Sequence, residues 1–218
     1  MKLGILGGTF NPIHLGHLRV AEEIAEDLAL EKVYLIPSGI PPHKNSRPLA
    51  EFSHRLKMAR LASTLSPLLD VWDIEGKRPG ISYSIETLRQ FHAHFGSQLK
   101  LFFIIGIDAF KEITTWKEYQ NLFEYTTFVV IGRPGYNAEK FSDLLASVDA
   151  RFEWNAGRNC YCHPSGNILI MRDATLMDIS ATQIRERIAK KKSIRFLVPE
   201  IVREYIEKAG LYLINEST

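Results

Sequence analysis

The chain has 218 residues, 45% of them hydrophobic, which is enough for one well-buried domain. Its 27 Lys and Arg against 25 Asp and Glu leave a net charge of only +2, far from the strongly basic footprint of a general nucleic-acid binder. No apolar run approaches the roughly 20 residues that span a bilayer, and Cys160 and Cys162 are the only cysteines. No nucleic acid or membrane partner is therefore expected, and the cytoplasm is the expected compartment.

Residues 2–6 read as a buried strand, followed by Gly7-Gly8-Thr9-Phe10-Asn11-Pro12-Ile13-His14-Leu15-Gly16-His17 and a helix over 15–30. A buried strand, a glycine turn and a helix start with free N–H groups together describe a phosphate site. His14 and His17, three residues apart, are expected on one face of the first helical turn, both pointing at the anion. Metalloprotease helices space their histidines i, i+4 around a Glu, so a metal is disfavoured here and no metal ligands are assigned. Neither the dinucleotide Gly-x-Gly-x-x-Gly pattern nor a Gly-Lys-Ser/Thr is present at these glycines.

Leu18, Ala21, Ile24, Ala25 and Leu28 form the apolar stripe of that helix. Strands are predicted over 32–36, 68–74, 99–105, 127–131 and 168–171, with helices over 53–64, 85–95 and 116–125 between them. Ile85, Leu88 and Phe95 are expected to face inward. Residues 37–48 form a Pro-rich loop. The continuously apolar strand at 99–105 ends in Gly106-Ile107-Asp108, which puts Asp108 at a strand's carboxyl end. This alternation predicts an α/β fold, a doubly wound parallel sheet with right-handed crossovers, whose ligands lie where carboxyl ends meet loops.

Ser180 is the predicted N-cap of a further helix, with Gln183 three residues on in a capping-box arrangement and Arg185 in its first turns. A second helix start with an arginine suits a polyphosphate. Lys190-Lys191-Lys192 reads as a solvated helix end. A last helix is predicted over 199–209, with Pro199 at its start and Gly210 just beyond. The chain reads as one domain over 1–218, its part from 175 onward forming a C-terminal helical subdomain. Cys160-Tyr161-Cys162-His163 lacks a second ligand pair and is expected to be a surface loop.

The glycine-histidine segment and Ile179-Ser180-Ala181-Thr182-Gln183-Ile184-Arg185 resemble the paired motifs of nucleotidyltransferases with a histidine–glycine–histidine core. Pro41-Pro42-His43-Lys44, Ser82-Tyr83-Ser84-Ile85-Glu86-Thr87-Leu88, Gly106-Ile107-Asp108 with Trp116, Gly132-Arg133-Pro134-Gly135 and Phe196-Leu197-Val198-Pro199-Glu200 resemble bacterial nicotinate-nucleotide adenylyltransferases. The likeness runs from Lys2 to about Tyr212 and is weakest over 138–167.

The resemblance implies a Rossmann-like fold. It implies ATP and nicotinate mononucleotide as substrates, nicotinate adenine dinucleotide and pyrophosphate as products, and Mg²⁺ bound through the ATP phosphates. His17 would meet the α-phosphate and His14 the phosphates beside it. Ser180, Thr182 and Arg185 would hold the β- and γ-phosphates, Gly8, Thr9 and Phe10 would give backbone contacts, and Asp108 beside Gly106 would bind ribose hydroxyls. On the acceptor side, Trp116 would stack on the pyridine ring. Its carboxylate would be read by backbone amides at Tyr83-Ser84 and Trp116-Lys117. Ser38, His43 and Lys44 would meet the mononucleotide phosphate, with Arg133 as a further contact. Ser84 stands where the family often has Thr, and Ser38-Gly39 where an Asn is frequent. A homo-oligomer is compatible with the resemblance. The alternatives are a sibling enzyme acting on nicotinamide mononucleotide, phosphopantetheine or a cytidylyl donor, and a noncatalytic nucleotide-binding regulator.

Overall fold

The computed structural model describes residues 1–41, 49–132, 138–175 and 177–213. Strands β1 (Lys2–Gly8), β2 (Lys32–Pro37), β3 (Leu69–Val71), β4 (Lys100–Gly106), β5 (Thr127–Ile131), β6 (Glu153–Asn155), β7 (Cys160–Cys162) and β8 (Ile168–Arg172) make one eight-stranded sheet in the order β3-β2-β1-β4-β5-β8-β7-β6. From β3 through to β8 the pairing is parallel. The far edge is an antiparallel extension of β7 and β6. The doubly wound parallel sheet is present as expected, with this extension added.

Alternation along the strands sends side chains to two apolar layers, as the period of two requires. Leu101, Phe103 and Ile105 of β4 join Ile85, Leu88 and Phe91 of α3 (Ser84–Phe95) on one side. On the other, Leu6 and Ile104 join Ala21, Ile24 and Ala25 of α1 (Leu15–Asp27) and Met58, Ala59 and Ala62 of α2 (Phe52–Ser63). Every residue of β5 is buried, because helices cover both faces of the sheet there. Phe110 of α4 (Ile107–Lys111), Leu122 and Phe123 of α5 (Tyr119–Tyr125), and Leu145 and Val148 of α6 (Ala138–Val148) pack into the α3 layer. Ile184 of α7 (Ala181–Ala189) and Val202 and Ile206 of α8 (Glu200–Lys208) pack into the α1 layer.

Three expectations are corrected and a fourth is refined. The helix expected over 116–125 starts only at Tyr119: a 3₁₀ turn at Ile113–Thr115 precedes it, Trp116 is extended, and Glu118 has φ 51°. The strand expected over 68–74 is confined to Leu69–Val71, with Ile74 and Glu75 buried in the connection that follows. Cys160-Tyr161-Cys162 is not a surface loop but β7, with Cys160 buried in the α1 layer, and the following His163 is buried on the other side against Phe123 and Phe152. Phe95 faces the same layer but is only partly buried, and Phe91 is the fully buried aromatic of α3's inner face.

Among the described residues no helix is long and apolar enough to cross a membrane.

Candidate active site

The strand order turns back on itself at β1. Chain order runs outward through β2 and β3, then returns to the other flank of β1 as β4. In such sheets the loops leaving the two strands that flank the reversal diverge and leave a crevice at their carboxyl ends. Here those strands are β1, which leads into the glycine-histidine loop, and β4, which leads into Gly106 and Asp108.

The loop after β1 is tightly folded. Phe10 takes a left-handed φ of 47°, and its buried ring lies edge-on to His17 with centroids 5.1 Å apart. A Cβ at Gly8 would meet that ring at 3.0 Å, so glycine is what allows the ring to seat. His14 is not inside the first helical turn but is the extended N-cap of α1, with φ −144°. His17 is the third residue of the helix. The imidazoles therefore stack, with centroids 3.6 Å and planes 28° apart.

The His14 backbone N–H donates to His17 Nδ1 at 3.2 Å. A neutral imidazole that accepts at Nδ1 carries its proton on Nε2, so His17 presents an Nε2–H donor. Burial, reinforced by His14, holds His17 well below the usual histidine range. Burial alone lowers His14 to about 4, and its buried Nδ1 has no hydrogen-bond partner among the described residues. Both rings are neutral near pH 7.

The folded-state pKa of His14 lies below its ordinary 6.5, so the unfolded chain takes the proton more readily. The stabilisation is complete above pH 6.5 and is lost as the pH falls from there towards 4. Linkage gives about 2 kcal/mol lost from this ring between pH 7 and 5. Denaturant titrations at the two pH values are expected to show that loss in the wild type and a flatter dependence in His14→Asn. Equal slopes would overturn it.

The second helix start reaches the same place. Ser180 caps α7, its hydroxyl accepting from the Gln183 N–H at 3.1 Å. Arg185 extends back to the first loop, Nη1 donating to the Asn11 carbonyl at 2.7 Å and Nη2 to Thr182 Oγ1 at 3.2 Å. The Leu15 N–H donates to the Leu197 carbonyl at 3.0 Å, and a Cβ on Gly16 would lie 3.7 Å from the Met177 carbonyl. The early histidines and the late Ser180, Thr182 and Arg185 thus share one end of the sheet.

On the other flank, the Ser38 N–H donates to the Gly8 carbonyl at 2.9 Å, bringing Ser38 beside the glycine-histidine loop. Gly106 is exposed with open space where a Cβ would stand, and Asp108 is exposed in the first turn of α4. Tyr83 is the N-cap of α3 and Ser84 its first residue. Lys117 reaches them, its Nζ 4.5 Å from the Tyr83 ring centre and 2.7 Å from Glu86 Oε1. Half-buried Trp116 lies with its ring centroid 6.1 Å from that of Phe103, on β4. His43, Lys44 and Arg133 lie outside the described residues.

A cytidylyltransferase-like family model matches residues 5–187. A protein of Geotalea daltonii named "Probable nicotinate-nucleotide adenylyltransferase" is 42% identical over 213 residues, covering 97% of this chain and 98% of that one. A protein of the same name from Desulfatibacillum aliphaticivorans is 43% identical over 221 residues, covering 98% and 100%. The chain belongs to the nicotinate-nucleotide adenylyltransferase family. Among solved structures, Plasmodium falciparum nicotinic acid mononucleotide adenylyltransferase complexed with NaAD matches with a TM-score of 0.73 over 97% of both chains. At 19% identity that match speaks to the fold.

Two groups that are not among the predicted site residues hold these loops together, Arg55 and Asn11. Arg55 is 1% exposed and donates to four carbonyls, those of Thr9, Ser38, Gly39 and Ala50. Asn11 Oδ1 accepts from the Ala50 N–H and from the Tyr212 hydroxyl. One signal was available for Arg55: it occupies the first position of the buried stripe Arg55-Met58-Ala59-Ala62.

Proposed function

We infer that the protein transfers the adenylyl group of ATP to nicotinate mononucleotide, giving nicotinate adenine dinucleotide and pyrophosphate in NAD biosynthesis. The observation that carries this reading is the 2.7 Å hydrogen bond from Arg185 to the Asn11 carbonyl, which draws a second helix start onto the loop of the stacked histidines. Two helix N-termini, neutral imidazole donors and a guanidinium at one sheet end suit a triphosphate.

In this reading a 5′-phosphate oxygen of the mononucleotide attacks the α-phosphorus of ATP in line. The new P–O bond forms as the bond to the β-phosphate bridging oxygen breaks, and pyrophosphate leaves with that electron pair. No protein nucleophile is required, so positioning and charge stabilisation supply the rate. His17 Nε2–H donates to the α-phosphate as charge builds, and His14 supports the phosphates beside it. Ser180, Thr182 and Arg185 hold the departing β- and γ-phosphates. Backbone groups of Gly8, Thr9 and Phe10 seat the nucleotide, and Asp108, next to Gly106, accepts from ribose hydroxyls.

The acceptor side is read the same way. Trp116 stacks on the pyridine ring, while amides at Tyr83-Ser84 and Trp116-Lys117 meet its carboxylate. Ser38 contacts the mononucleotide phosphate, together with His43, Lys44 and Arg133.

Mg²⁺ belongs to this reading as part of the substrate, carried on the ATP phosphates, where it neutralises charge. The protein donors gathered there are imidazole, hydroxyl, amide and guanidinium groups, which suit phosphate oxygens. Among the described residues no three His, Cys, Asp or Glu side chains group to hold a metal. In this reading the ion would be held through the ATP phosphates.

Incubating the purified protein with MgATP and either nicotinate or nicotinamide mononucleotide, and following pyrophosphate, tests the reaction and the acceptor together. Release is expected with both substrates present and faster with the acid. Equal rates would remove the acid preference, and no release with either acceptor would remove the reaction.

A further inference from the structure

The guanidinium of Arg55 has no substrate role in the reaction described, yet among the described residues it is the most completely enclosed charge. It stands near the start of α2 with 1% of its surface exposed. Nη1 donates to the carbonyls of Thr9 at 2.8 Å and Ser38 at 2.7 Å, Nη2 to Gly39 at 3.0 Å, and Nε to Ala50 at 3.0 Å. A buried cation costs folding free energy unless its donors are matched, and an apolar side chain would fill this stripe position at lower cost. What the arginine adds is a planar fork that fixes several acceptors at once.

The four carbonyls come from three separate pieces of chain. Thr9 lies in the loop of the stacked histidines, Ser38 and Gly39 follow β2, and Ala50 lies at the far end of the same β2–α2 connection. Arg55 thus ties both ends of that connection to the phosphate loop.

Asn11 is a second knot in the same fabric. Its side-chain oxygen accepts from the Ala50 N–H at 3.1 Å and the Tyr212 hydroxyl at 2.8 Å, and its carbonyl accepts from Arg185. Ala50 is therefore held on its N–H by Asn11 and on its carbonyl by Arg55. Gly39, held on its carbonyl by Arg55, donates its N–H to Ser82 Oγ at 2.9 Å, one residue before the N-cap of α3. A Cβ on Gly39 would lie 2.5 Å from the Glu75 carbonyl, so this contact admits no side chain there. An unbroken run of hydrogen bonds passes from Arg185 through Asn11, Ala50, Arg55 and Gly39 to Ser82. It joins the start of α7 to the start of α3.

We propose that Arg55 and Tyr212 are positioning residues that lock the loop after β1, both ends of the β2–α2 connection and the start of α3 into one unit, so that ATP and the acceptor mononucleotide bind cooperatively. The identity of the two ligands rests on the function inferred above; the lock rests on the hydrogen bonds alone. Ordering one loop around its ligand then orders the other in advance, and the second ligand binds a preformed site.

The test uses the full chain and two conservative variants. Arg55→Lys keeps the charge and loses the fork; Tyr212→Phe removes one hydroxyl from an otherwise unchanged ring. Amide hydrogen exchange is read over residues 7–13, 36–41 and 80–84. The affinity for nicotinate mononucleotide is measured with and without α,β-methylene-ATP. In Tyr212→Phe, exchange is expected to quicken in these segments, and the enhancement of acceptor binding by the analogue to fall about 5-fold, as one hydrogen bond is worth. In Arg55→Lys the enhancement is expected to vanish and kcat/KM to drop about 100-fold, the cost of misplacing reacting groups by about 1 Å.

A Tyr212→Phe protein with wild-type exchange and wild-type enhancement would overturn the proposal. So would a fall in kcat with the enhancement intact. Should Arg55→Lys fail to fold, the tyrosine variant decides. An inactive wild type would remove the assigned reaction while the exchange result still judges the lock.

Discussion

His17→Ala is expected to lower kcat on the order of 10² or more while leaving the fold intact, the cost typical of removing one donor aimed at developing charge. The geometry says why the loss falls on kcat. His17 is neutral, its Nδ1 is taken by the His14 N–H, and its remaining proton sits on Nε2. A neutral donor held by backbone binds a ground-state phosphate weakly, and its interaction strengthens as the transition state gathers charge. KM for ATP should therefore move little. The ring's packing on Phe10 and His14 contributes to the loop, so circular dichroism and thermal melting accompany the kinetics. His17→Asn, which keeps an N–H donor, is expected to lie between alanine and wild type. Turnover by the alanine variant near the wild-type rate would end the assignment.

The central sheet was legible because its strands are continuous apolar runs flanked by helices with clean stripes. Residues 127–131 were predicted and observed as the same strand, and the stripe read on α1 is the one that buries Ala21, Ile24 and Ala25. Three of the elements that escaped are too short for a period to show, whereas α6, with 11 residues, is absent from the predicted elements despite its length. α4 has five residues, and β6 and β7 have three each. β7 exists because β8 pairs with it, a tertiary cause that no local pattern reports. Trp116 was expected in a helix, but the 3₁₀ turn before it and left-handed Glu118 after it hold the chain extended at that point.

The site divides in the same way. The stacked histidines and the Ser180 cap follow from neighbours within a few positions, and their sequence signals were strong. Arg55 left a fainter one, a charge where the stripe with Met58, Ala59 and Ala62 calls for an apolar residue. A buried arginine in a helix stripe marks a place where backbone carbonyls must be gathered. The Tyr212 to Asn11 bond joins residues 201 apart and left no signal, because nothing local distinguishes that tyrosine from one in an ordinary apolar tail.

Arg185→Ala is expected to reduce kcat/KM for ATP by about 100-fold or more, the range for losing one charged partner of a buried ionic contact. Arg185 spans two tasks. Nη1 holds the Asn11 carbonyl and Nη2 meets Thr182 Oγ1, which fixes the plane of the fork and aims its cationic face across the start of α7. In the proposed reaction that charge follows pyrophosphate as it leaves, so the loss should appear in both KM for ATP and kcat, with KM for the mononucleotide moving less. Arg185→Lys separates the tasks: a lysine keeps the charge but cannot serve carbonyl, hydroxyl and phosphate together from one planar group. It should recover part of the ATP affinity and little of kcat. Removing the Asn11 contact alone is worth about 1 kcal/mol, which thermal melting reads independently of activity. Steady-state kinetics with each substrate varied decide the matter. An alanine variant whose ATP parameters stay within about twofold of wild type would show that this guanidinium only ties the loops together, and the triphosphate would have to be held elsewhere.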